Sequence, residues 1–231
     1  MKIHNLMEDI VLDKVHEIFD EDEDGMKEKG FCCCYQCRLD VACYVLNRIQ
    51  PRYMTSSRGL AHLRTEYQTN LQKTADLVSM INDGIKTVSS TKRPHYSHTN
   101  SEQHPVPEGP LYNFPTIMGR LLNGNTFEPM KDIDVYLHNN GEPVKMIDPS
   151  WQNPYHMIDK TAGTYLFWPY PVQANSPRTS RIFEFELLIN EAEYEELHHF
   201  FEIDLRAEST FNDSFHMQRT CKLEDLYLFP K

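Results

Sequence analysis

Residues 89–110, SSTKRPHYSHTNSEQHPVPEGP, hold four prolines and almost no apolar side chains. A stretch of this kind has little to bury and cannot sustain a helix or a ladder, so it reads as a linker. It separates two kinds of pattern. Before it, apolar residues recur at three- and four-residue steps; after it they come in β-rich runs between turn residues. The chain is therefore expected to be α+β in separate domains. The expected division is an all-α domain over 1–88, the linker over 89–110, and a mainly β domain over 111–231. His95, His98 and His104 of the linker are read as exposed residues rather than ligands, because nothing pre-organises them.

The N-terminal part carries three helical patterns. Residues 1–19 place Ile3, Leu6, Met7, Ile10, Val11, Ile18 and Phe19 at helical steps. The acidic run Asp20 to Asp24, followed by Gly25, is expected to close that helix in a solvated turn. A second helix is expected from about Cys37 to Ile49, ended by Gln50-Pro51. A third is expected over roughly Leu60 to Val88. Three helices of this size bury a small core, so self-association through the long one is expected.

Beyond the linker, Ile133–Leu137, Pro143–Ile147, Gly163–Phe167 and Ile182–Ile189 read as strands, with a hairpin signal at Asn139-Asn140-Gly141. Glu191–Phe200 reads as a short helix with His198-His199 on the surface at its end. Strand spacing points to a sandwich. Val135 to Phe167 resembles the transthyretin-like or carboxypeptidase-regulatory type of sandwich, where a strand of the kind Gly163-Thr164-Tyr165-Leu166-Phe167 follows a hairpin.

The whole chain has 231 residues and a formal net charge of −11. An acidic chain is poorly suited to neutralising phosphates along a duplex, so no DNA partner is expected. No export signal and no apolar run of spanning length is visible, so the expectation is a cytoplasmic protein without membrane insertion. Four of its six cysteines fall within residues 32–37, which suits a metal site or thiols in a reducing compartment better than a secreted disulfide framework.

The chemistry concentrates between Phe31 and Met54. Cys34-x-x-Cys37 supplies one pair of zinc-type donors, and Cys32 can close from the other side. Cys33 is awkward beside its neighbours, and Cys43 falls on a different helix face from Cys37. Structural zinc, reactive thiols and a disulfide all remain open readings. Cys221 stands alone and reads as a small packed residue. Arg38, Arg48, Arg52, Arg58, Arg64 and Lys73 face only Asp40 and Glu66 in the same stretch. That local reversal of charge is what a phosphate site in an acidic protein needs. Arginine binds phosphate bidentately and stacks on purines. Asp40 offers an acceptor for a guanine edge, and Tyr53 an aromatic face. The plain alternatives are surface ion pairs for the arginines and cap or core hydrogen bonds for Asp40 and Asn47. No Gly-rich phosphate loop, nucleophile elbow or H-E-x-x-H motif is present, and no enzyme is expected.

These residues carry a family resemblance. Asn5, Met7-Glu8, Val11, Cys32/Cys34/Cys37, Arg38, Asp40-Val41-Ala42, Leu46-Asn47-Arg48 and Pro51-Arg52-Tyr53 resemble the pattern of late-competence ComFB-family domains. The likeness covers about 40% of the chain; Cys33 and Cys43 depart from it. It implies a small helical module, a zinc-bound form, and kinship to cyclic-dinucleotide receptors. The expectation is thus a homodimeric, non-enzymatic receptor for a cyclic dinucleotide, cyclic di-GMP favoured over cyclic di-AMP. Its expected ligand residues are Arg38, Asp40, Asn47, Arg48, Arg52 and Tyr53. Cys32, Cys34 and Cys37 are the expected zinc ligands, and the β domain the output toward an unknown protein partner. The alternative is a zinc-stabilised helical adaptor with no nucleotide ligand.

Overall fold

The computed structural model describes residues 3–55, 71–91, 107–148, 150–212 and 219–231. They fall into two compact units, one N-terminal and one C-terminal. The linker stretch 92–106 with its three histidines, Arg58, Arg64 and residues 60–70 of the long helical pattern lie outside the described residues.

The N-terminal unit is helical. Helix α1 spans Leu6–Glu21, α2 Glu23–Glu28, α3 Tyr35–Leu46 and α4 Leu71–Ser90. Two short strands, β1 (His4–Asn5) and β2 (Tyr53–Met54), pair antiparallel. In α1, Val11, Val15 and Phe19 recur every fourth residue and meet Val41, Ala42 and Val45 of α3 and Leu77, Ile81 and Ile85 of α4 in one core. The α3–α4 approach is close. A Cβ at Gly84 would sit 3.0 Å from the Tyr44 ring and 3.3 Å from Val41, so glycine there lets the two helices touch.

The acidic run is not a solvated turn, which corrects the sequence reading. α1 runs through Glu21, the chain bends at Asp22, and α2 starts at Glu23. Glu23 and Asp24 thereby occupy a helix first turn, where carboxylates are favoured by the exposed backbone N–H groups. Glu23 also pairs with Lys27 one turn on, at 2.5 Å, and Met26 is drawn into the core. The second helix begins two residues earlier and ends three residues earlier than its apolar pattern alone indicated.

The C-terminal unit is built on strands: β3 (Leu111–Tyr112), β4 (Thr116–Asn123), β5 (Asp134–Asn139), β6 (Glu142–Pro143), β7 (Tyr155–His156), β8 (Thr164–Phe167), β9 (Val172–Gln173), β10 (Ser180–Ile189), β11 (Leu197–Arg206), β12 (Thr220–Lys222) and β13 (Leu226–Leu228). One sheet has the order β11-β10-β5-β6, with β7 also on β5. In the other, β8 lies antiparallel to β4, while β12 and β13 run parallel to its two halves. β3 and β9 form a separate pair. Inward residues of both sheets share one core, among them Ile117, Leu121, Tyr165 and Phe167 from one and Leu137, Phe183, Phe185 and Leu187 from the other.

Two departures from the sequence reading stand out here. The expected helix over Glu191–Phe200 is instead a connection followed by β11, which pairs with β10 from Ser180↔Arg206 to Ile189↔Leu197. The alternation of Phe201, Ile203 and Leu205 with Glu202, Asp204 and Arg206 has period two, and ten paired residues outweigh the helix propensity of the Glu-rich stretch before them. His198 and His199 consequently lie on a strand. The central strand β4 was not read as a strand at all. Its interior Gly119 lies under the Tyr165 ring of β8, whose phenol occupies the space a Cβ would take.

Candidate functional site

The cysteine loop follows from how α2 ends. Gly30 takes a positive φ of 78°. Its amide donates to the Lys27 carbonyl, and the Phe31 amide to the Met26 carbonyl, both at 2.9 Å. This is the Schellman arrangement that glycine allows at a helix end. The chain leaves it extended, so Cys32 and Cys34 project to one side and Cys33 to the other. Cys34 is the N-cap of α3 and Cys37 lies one turn in. The three sulfurs of Cys32, Cys34 and Cys37 end within 4.8 Å of one another. Cys33 Sγ turns away, 3.9 Å from the carbonyls of Glu23 and Phe31.

None of the six cysteines forms a disulfide. Burial pushes the Cys32 and Cys37 thiols up, Cys37 strongly, and hydrogen bonds and repulsion among the three sulfurs add to the Cys37 shift. Three thiolates this close would repel one another, so the trio favours ionisation only around a cation. The donor set fits a metal ion of the thiophilic kind, with one or more further ligands from outside the trio. Cys43 is exposed, six residues beyond Cys37 on α3.

Arg38 braces this loop. Its Nε donates to the Cys33 carbonyl at 3.1 Å, its Nη1 meets Asp20 Oδ1 at 2.5 Å, and its guanidinium lies 5.3 Å from the Phe19 ring centre. The side chain is only 15% exposed. Asp40, two residues on and half-buried, accepts from Gln36 Nε2 at 3.4 Å.

The remaining expected ligand residues sit at the other end of α3. Asn47 is the C-cap. Arg48 lays its guanidinium on the Tyr44 ring at 3.5 Å and donates to the Tyr44 carbonyl. Arg52 and Tyr53 are held against the start of α1, because Asn5 Oδ1 accepts from the Arg52 amide at 2.9 Å and β2 pairs with β1. Tyr53 is 67% exposed. Eight residues of helical rise, roughly 12 Å, separate Arg38 from Leu46 at the end of α3. The six expected ligand residues are thus divided within one chain: Arg38 and Asp40 lie on the first turns of α3, near the cysteine loop, and Asn47, Arg48, Arg52 and Tyr53 follow its C-terminal end.

The sequence reading missed His16. Its Nε2 is buried without a hydrogen-bond partner among the described residues, and its ring lies 6.5 Å from that of Tyr35. Its place beside Val15 on the apolar stripe of α1 was the available signal. Among the described residues no helix is long and apolar enough to cross a membrane.

Among the described residues, the N-terminal unit is thus a small helical module with a three-cysteine loop between α2 and α3 and with Arg48 and Arg52 beyond α3. Residues 4–92 match the family model described as late competence development protein ComFB, and this N-terminal region is a ComFB domain. A solved structure of the late competence protein ComFB from Bacillus subtilis is 23% identical over 41% of this chain and 96% of that one, with a TM-score of 0.32. No curated protein matches the chain.

Proposed function

We propose that the N-terminal unit is a non-enzymatic receptor for a cyclic dinucleotide, cyclic di-GMP before cyclic di-AMP, acting in the cytoplasm as a homodimer. The observation that carries this reading is the surface beyond α3. Arg48 is already stacked on an aromatic ring, and Arg52 and Tyr53, four and five residues further along, are exposed in a chain of net charge −11. Such groups bind phosphate and a purine face. A two-fold symmetric ligand fits two copies that each lend Asn47, Arg48, Arg52 and Tyr53. Arg38 then acts as a positioning residue for the cysteine loop, and Asp40 lies with it.

In this reading Cys32, Cys34 and Cys37 hold a structural zinc ion, whose charge stabilises their thiolates and fixes the start of α3. The C-terminal unit, read as a sandwich, is the output element toward a protein partner. The second reading, a zinc-stabilised adaptor without nucleotide, is favoured by the fact that the three cysteines converge while the expected ligand residues are split.

Calorimetric titration of the full chain with both cyclic dinucleotides tests the choice. Micromolar binding is expected. Arg48→Ala and Arg52→Ala should each weaken it ten- to a hundredfold, about 1.5–3 kcal/mol for a charge-assisted contact, with no change in melting temperature. Lys160→Ala in the C-terminal unit should have no effect. If the parent binds neither nucleotide at micromolar concentration, the adaptor reading replaces the receptor. Protein prepared under reducing conditions should carry one zinc per chain; metal analysis finding none would remove zinc from both readings.

A further inference from the structure

The C-terminal unit contains a cleft with no part in the reading above. Its volume is about 380 Å³, within the roughly 300–1,000 Å³ usual for small-molecule sites. One wall is aromatic: Phe114 packs edge-on against Phe183 and Phe185, with ring centres 4.9 and 5.5 Å apart. The segment after the β5–β6 turn also lines the cleft, as does Tyr170, whose amide donates to the Lys145 carbonyl at 2.8 Å. Two cations, Lys145 and Arg181, line the cleft, against one carboxylate, Glu142. Arg181 holds its guanidinium over the Phe183 ring at 4.7 Å.

Residues 107–231 hold ten Lys and Arg against nineteen Asp and Glu. Among the described residues three of these ten cations, Arg120, Lys131 and Arg219, pair with carboxylates, those of Asp225, Asp159 and Glu208. Lys145 and Arg181 have no carboxylate partner among the described residues, although both border a cavity large enough for a ring. Unpaired cations beside aromatic faces complement an anion on a flat apolar body: the ring gains buried contact, and the anion gains charge-assisted hydrogen bonds. We propose that this cleft binds a small aromatic carboxylate or sulfonate. The ring lies against Phe114, Phe183 and Phe185, and the anionic group meets Arg181 and Lys145.

The test is calorimetric titration of the full chain with 1-naphthoate, and with its neutral amide for comparison. Binding of 1-naphthoate is expected, with the amide at least tenfold weaker. The Arg181→Gln/Lys145→Gln double variant should lose tenfold or more while keeping the parent's melting temperature. Val144→Trp, which fills the cleft and leaves both cations in place, should also abolish binding. Lys160→Gln, a distant charge change, should leave it intact. The proposal is overturned if 1-naphthoate does not bind at millimolar concentration or if the amide binds as tightly. It is equally overturned if either cleft variant, shown folded by circular dichroism, binds like the parent.

Discussion

Asn5 Oδ1 accepts from two backbone amides, that of Met7 at 3.3 Å and that of Arg52 at 2.9 Å. One side chain therefore caps α1 and ties down a segment 47 residues further along. The tie holds Arg52 and Tyr53 against the start of α1, so the geometry of the proposed ligand surface depends on a residue outside it.

Asn5→Ala removes both bonds. The expected cost is about 1–2 kcal/mol, the usual value for losing an N-cap acceptor, read as a lower urea midpoint. Asn5→Asp keeps an acceptor at the cap and should recover most of the loss. An alanine variant as stable as the parent would show that neither bond matters to the fold.

Arg38 tests the division between bracing and ligand contact. Arg38→Ala should lower stability by about 1–2 kcal/mol, since the Cys33 carbonyl and the Phe19 ring lose a partly buried partner. The exposed Asp20 adds little, because water replaces its lost partner. Lysine cannot reproduce the planar fork that spans Asp20 and Cys33, so Arg38→Lys should restore only part of the loss. Full recovery by lysine in a urea melt would mean that charge alone suffices.

These two residues also show how far the sequence was legible. Asn5, the cysteines and the arginines were all visible in the pattern. So was the convergence of Cys32, Cys34 and Cys37, because period two in an extended chain and one turn of helix are both local rules. The helix expected over Cys37 to Ile49 already put Arg38 and Arg48 at its opposite ends; what local rules could not show was their partners, since Asp20 reaches Arg38 only through the packing of α1 on α3. In the C-terminal unit the β5–β6 hairpin was legible from Asn139-Asn140-Gly141. β4 was not, because its neighbours β12 and β13 lie about a hundred residues away and its glycine is completed by Tyr165 from another strand.

His198 gives a pH-dependent signature. A hydrogen bond to Glu186, at 2.5 Å, raises its pKa above the ordinary value, and Glu196 on its other nitrogen acts in the same direction. A raised folded-state pKa means that the protonated form is favoured in the fold. The associated stabilisation is present below about pH 6.5, the unfolded value, and is lost as pH rises through the folded value. An NMR titration should place the His198 midpoint above 6.5, and Glu186→Gln should move it down. A midpoint unmoved by that change would assign the shift to another cause.

The sharpest packing test is at Gly119 and Tyr165. A Cβ on Gly119 would overlap the Tyr165 phenol, so Gly119→Ala must displace a ring that is fully buried between the sheets. Overpacking of this kind costs about 1–3 kcal/mol. The Tyr165 hydroxyl itself is buried with no hydrogen-bond partner among the described residues, and burial pushes its pKa up strongly. Removing a buried, unsatisfied hydroxyl relieves a desolvation cost. Tyr165→Phe is therefore expected to leave stability unchanged or raise it by up to about 1 kcal/mol. In a Tyr165→Phe background, Gly119→Ala should cost less than it does alone, because one of the overlapping atoms is gone while the ring carbons remain. Equal costs in the two backgrounds, measured by a double-mutant cycle in urea, would show that the hydroxyl is not what the alanine strikes.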